Sequence, residues 1–184
     1  MSLSRRKNQS DLSDQINVLT RSAFALALSV VSLLLFRGSI SIVSTFIIPV
    51  VIVLFSKRNE LLSFTYIAIS LLMVTVLFFQ TQIIFVIGYL LLSVLLKHFL
   101  MDSAVKVKIS FSGILKYLIA VIVILFIGIQ LTQIIFLIPL HDMMLRLSNN
   151  LPYRYFGILL VEGIIITLVN LLLLKAITSR LKLE

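Results

Sequence analysis

The 184-residue chain contains no cysteine. Disulfides, thiolate metal sites and cysteine nucleophiles are therefore excluded. Charge is scarce: Asp, Glu, Lys and Arg make up 12% of the residues, against about a quarter in soluble domains. Short chemical motifs are missing too, with no H-E-x-x-H, Walker or dinucleotide loop and no G-x-S-x-G nucleophile elbow. These absences argue against an enzyme and call for no cofactor. What is present is hydrocarbon. Hydrophobic residues form 60% of the chain, and the mean hydropathy is +1.18. A soluble core of this length could not hide so many apolar side chains, whereas lipid solvates them. The expectation is an all-α, multi-pass protein of the cytoplasmic membrane, with lipid as its first partner.

The net charge of +9 is not a nucleic-acid signal. Such binders group their cations on one solvent face, whereas here they fall in short gaps between apolar runs. Residues 1–21 form a polar, basic tail, read as a loosely ordered cytoplasmic segment or a short interfacial helix. Residues 22–184 form the membrane domain. Its apolar runs are 22–36, 40–55, 61–79, 83–100, 114–138 and 155–177. The first crossing extends back to about Ile16. Its small residues Ala23, Ala25 and Ala27 lie at its start, not at the end where signal cleavage needs them, so it reads as a retained anchor. Pro49 falls inside the second run, where membrane helices tolerate a kink. Residues 140–154 read as an outlying loop, with Asn149, Asn150 and Pro152 as turn signals.

Orientation follows from the cations. Of the sixteen Lys and Arg, thirteen fall in the two tails, the second and fourth connections and their flanks, and three in the other connections. Six crossings with both termini in the cytoplasm satisfy this bias, and an even number of runs agrees.

The polar residues within the runs are then placed by depth. Glu162 lies seven residues into a helix starting near Tyr155, about 10 Å below the outer surface of a core about 30 Å thick. A carboxylate at that depth faces the bundle interior and seeks a partner. Gln130 and Gln133 share a helix face, and Gln133 is about 9 Å deep, six residues before Pro139. Ser41, Ser44, Thr45, Gln80, Thr81 and Gln82 fall toward the same side, with Arg37, Arg146, Asn149, Arg154 and Tyr155 in or beside the outer connections. The functional reading is an outward-facing cavity for a small polar solute. Its candidate ligand-binding residues are Glu162, Gln130, Gln133, Tyr155, Asn149 and Arg37. Glu162 would serve as acceptor or counter-ion, or, when protonated, as donor. The alternative is interhelical bonding, worth about 1 kcal/mol per polar pair. A proton relay would need a chain of ionisable groups, and only Glu162 is found.

Ala23 and Ala27 put two small residues on one face of the first helix, which allows a partner helix to approach closely. His98 and His141 fall at opposite membrane faces, so they cannot share a haem or metal. The pair His141 and Asp142 reads as ordinary loop.

In length, six crossings and cytoplasmic termini, the chain resembles the substrate-binding (S) components of energy-coupling factor vitamin transporters. The stretch LTRSAFALA at 19–27 is similar to their first helix, whose Ala-x-x-x-Ala motif docks on a shared transmembrane scaffold. VEGIII at 161–166, continuing to Leu174 and Lys175, is similar to their last helix. This resemblance implies capture of a small solute, with partner subunits (a scaffold and ATPases) supplying the movement. The chain also resembles the rod-shape-determining MreD proteins in size and topology, which implies a non-catalytic subunit of a cell-wall synthesis complex. Members of that family tend to carry glycines and an aspartate in the middle helices; residues 61–79 hold neither.

Overall fold

The computed structural model describes residues 2–35, 42–56, 61–101, 107 and 110–180. Seven α-helices follow in order: α1 (Ser2–Leu35), α2 (Ile42–Phe55), α3 (Leu61–Phe78), α4 (Ile83–Leu100), α5 (Phe111–Phe136), α6 (Leu140–Leu147) and α7 (Pro152–Arg180). A 3-10 turn, Gln80–Gln82, joins α3 to α4. Helices are the solution lipid demands, because each satisfies its backbone hydrogen bonds within its own segment.

Four stretches are long and apolar enough to cross a membrane: Gln15–Leu35, Gln80–Leu100, Phe111–Phe136 and Pro152–Ser179. The chain is on this basis a multi-pass membrane protein. Two apolar helices are shorter, Val43–Phe55 and Leu62–Phe78. At 1.5 Å per residue the 14 residues of α2 reach about 21 Å, and residues 36–41 and 57–60 at its ends lie outside those described. Pro49 sits buried inside α2 without ending it. Only 28% of the α5 span is buried. The rest presents side chains such as Ile119, Val123 and Ile127 outward, a surface suited to lipid rather than water.

The helices form a ring in the order α1, α3, α4, α5, α7, α2, and α2 also packs on α4 across its middle. That brace divides the interior into two cores. One is built from Ala25, Leu33, Ile48, Ile52, Ile67, Leu71 and Val86 of α1 to α4. The other gathers Val50, Leu92, Tyr117, Val121, Leu159 and Ile166 of α2, α4, α5 and α7. Polar pairs cross between helices. Ser22 meets Ser63 at 3.1 Å, Ser32 donates to Ser44 at 3.3 Å, Tyr89 is hydrogen-bonded to Thr45, and Asn170 Nδ2 donates to the Tyr117 hydroxyl at 2.9 Å.

Helix α1 runs unbroken through residues 21 and 22. Three expectations need adjustment. The fifth helix ends at Phe136 rather than Ile138, with Leu137 in the left-handed region at φ 56°. Residues 140–154 are not all loop, because they contain α6. The turn that follows places both Asn149 (φ 54°) and Asn150 (φ 58°) in the left-handed region, which asparagine tolerates best after glycine. Pro152 then opens α7, a position where its missing N–H has no helical partner to lose. That start is three residues earlier than the expected Tyr155.

Candidate functional site: a cavity beneath α6

The segment LHDMMLRL carries apolar residues at 140, 143, 144 and 147, the spacing of one helix face. Among these Met144 is buried and points into the bundle. As a short helix, α6 has N–H groups at its start without helical acceptors. Gln133 of α5 supplies one: its Oε1 accepts the N–H of His141 at 2.9 Å and that of Asp142 at 3.3 Å. Three residues earlier, Gln130 Nε2 lies 2.8 Å from His141 Nδ1. The Tyr155 hydroxyl stands 3.3 Å from the same nitrogen and is also hydrogen-bonded to Gln130. The His141 and Tyr155 rings meet edge-on at 5.3 Å, and Phe126 packs against Tyr155 at 6.3 Å. One cluster thus fastens α6 to both α5 and α7.

Two turns further along α7, Glu162 occupies the same face as Tyr155. Its side chain is half-buried, and among the described residues no hydrogen bond or ion pair reaches its carboxylate. It borders two cavities. The first, about 700 Å³, is lined by Leu77, Phe78, Phe79, Gln80, Thr81, Gln82 and Phe85 from the α3–α4 end. Leu125, Ile129 and Thr132 of α5 and Ile138, Leu140, Met143, Met144 and Leu147 at α6 complete it. The second, about 710 Å³, is lined by Arg154, Gly157, Ile158, Val161 and Ile165 of α7, with Met144, Leu147 and Ser148. Met144, Leu147 and Glu162 line both, so α6 lies between the two spaces and above the carboxylate.

The sequence candidates divide accordingly. Glu162 is on the cavity wall. Gln130, Gln133 and Tyr155 come together as expected of neighbours, but their polar atoms hold α6. Asn149 is exposed in the turn after α6, its N–H donating to the Arg146 carbonyl at 3.0 Å. Arg37 lies outside the described residues. Ala23 and Ala27 are exposed on the outer side of α1, whereas its packing face carries Ser22, Ala25, Ser29 and Ser32. His141 went unrecognised as a polar anchor because its segment was read as loop. The apolar spacing of α6 was the signal that could have found it.

Chemically, the first cavity is mostly apolar with a few polar groups. Among the described residues, Glu162 is the one ionisable side chain on its wall, beside amide and hydroxyl groups. Among the described residues, no three of His, Asp and Glu assemble as a metal site. Comparison with protein-family models, curated proteins and solved structures finds no match to this chain.

Proposed function

We propose that this chain is the membrane-embedded solute-binding subunit of an uptake transporter, similar in plan to the S components of energy-coupling factor systems. Its six apolar helices cross the cytoplasmic membrane with both termini inside, and the cavity under α6 opens to the outer side. It performs no catalysis and binds no cofactor. Partner subunits energise the movement, and the exposed face bearing Ala23 and Ala27 receives one of them. The observation that supports this reading most is Glu162, half-buried and unpaired among the described residues, on the wall of a cavity of about 700 Å³. An acid in a membrane helix is costly, and one held only for structure would be hydrogen-bonded to another helix.

A second reading is a structural membrane subunit of a larger complex, MreD-like, with no solute. It is favoured by Gln130 and Gln133 being engaged in fastening α6. The two are separated by purifying wild type and Glu162→Gln from native membranes in mild detergent, and identifying bound small molecules and proteins by mass spectrometry. A small molecule retained by wild type and lost from an equally stable variant, together with ATPase subunits, upholds the transporter. Cell-wall synthases without any retained solute reject it.

A further inference from the structure

The chemistry of the first cavity restricts what it takes. Most of its wall is hydrocarbon and aromatic, from Phe78, Phe79, Phe85, Met143 and Leu147 among others. Among the described residues no Lys, Arg or His lines it; Arg154 borders only the second cavity. Its polar groups are the amides of Gln80 and Gln82, the hydroxyls of Thr81 and Thr132 and one carboxylate, that of Glu162. Glu162 offers a carboxylate with no hydrogen-bond partner among the described residues. Gln82 Oε1 has no partner among the described residues but is fully buried, out of an occupant's reach. Thr132 has already committed its hydroxyl hydrogen to the Gly128 carbonyl at 2.7 Å. A buried acceptor left unmatched carries its full desolvation penalty, which a donor from a ligand relieves.

From this we infer that the occupant is an apolar molecule carrying a protonated amine, its hydrocarbon body against the Phe and Met side chains and its ammonium donating to Glu162. This rests on the cavity being a solute site, as proposed above, and adds the class of solute. An anionic ligand would meet a carboxylate and no cation. A sugar-like ligand would strand most of its hydroxyls against hydrocarbon, since a buried hydroxyl without a partner is costly. An apolar body with one cationic head leaves the fewest groups unpaired.

The test uses the full chain in nanodiscs of phosphatidylcholine alone and three photo-crosslinkable probes. All share one phenylalkyl diazirine body and end in an amine, an alcohol or a carboxylate. Labelled residues are mapped by mass spectrometry. The amine is expected to label residues 77–85 and 138–147 at about tenfold lower concentration than the alcohol, the order of a hydrogen bond to a charged group. Glu162→Gln should erase that difference while leaving alcohol labelling in place, which also verifies that the variant is folded. Equal labelling by amine and alcohol, or preference for the carboxylate, overturns the amine assignment and leaves the cavity standing as a solute site. Absence of cavity labelling by every probe overturns both readings. Amine labelling that survives Glu162→Gln unchanged removes Glu162 as the anchor and overturns the assignment.

Discussion

Gln133 and His141 are joined so that a side chain of one helix caps the next: Gln133 Oε1 accepts the His141 N–H at 2.9 Å. A capping acceptor is worth about 1 kcal/mol to the helix it caps. Gln133→Leu should therefore loosen α6 by about that amount, with little effect on α5, whose own backbone bonds are intact. Hydrogen exchange should rise at residues 140–147 and not at 115–130. Gln133→Glu keeps an acceptor and should preserve protection; equal loss in both variants would contradict the capping role.

Glu162 offers a stability test that separates a ligand group from a structural one. It has no hydrogen-bond or ion-pair partner among the described residues, so the ligand-free protein gains nothing from its charge. Glu162→Leu should raise the melting temperature in detergent, by the equivalent of about 1–3 kcal/mol given the cost of an acid in a membrane helix. A fall in stability would mark Glu162 as a packing or bonding residue after all.

Beside it, Gly163 lets α7 approach α5 closely. A Cβ there would stand 2.7 Å from Ile122 Cγ1 and 3.4 Å from Leu118 Cδ1. Small residues at such crossings let helix backbones come together. Gly163→Ala should destabilise the pair by about 1–3 kcal/mol, the usual cost of overpacking. Adding Ile122→Ala should recover much of that loss in a double-mutant cycle read by thermal melting. Strict additivity would mean that the two positions do not meet.

The two sides of α1 should respond oppositely. Ser22 is buried and 3.1 Å from Ser63, so Ser22→Leu should overpack the α1–α3 contact at a cost of about 1–3 kcal/mol. Ala23 is exposed, and Ala23→Leu should leave the isolated protein within about 0.5 kcal/mol of wild type. If Ala23 and Ala27 receive a partner, Ala23→Leu should nevertheless abolish co-purification of that partner. A retained partner would free this face for lipid.

The amino-acid sequence by itself determined the solvent, the helical class and roughly where each helix lies. Lipid leaves a spanning backbone few choices, so long apolar runs separated by charged gaps are enough. It also marked Glu162, because a lone carboxylate in an apolar run is costly wherever the helix points. What only the tertiary structure decided is how each helix is turned about its own axis. A helix that is apolar all round looks the same on its core and lipid sides. In residues 22–35 the serines at 22, 29 and 32 share one face, but that this face turns inward, leaving Ala23 and Ala27 outward, depended on packing against α2 and α3. The same holds for Gln130 and Gln133: their shared face was legible, but that it meets α6 and His141 depended on where that helix docks. Helix docking follows from packing among segments distant in the chain, and through it Glu162 became the wall of a cavity.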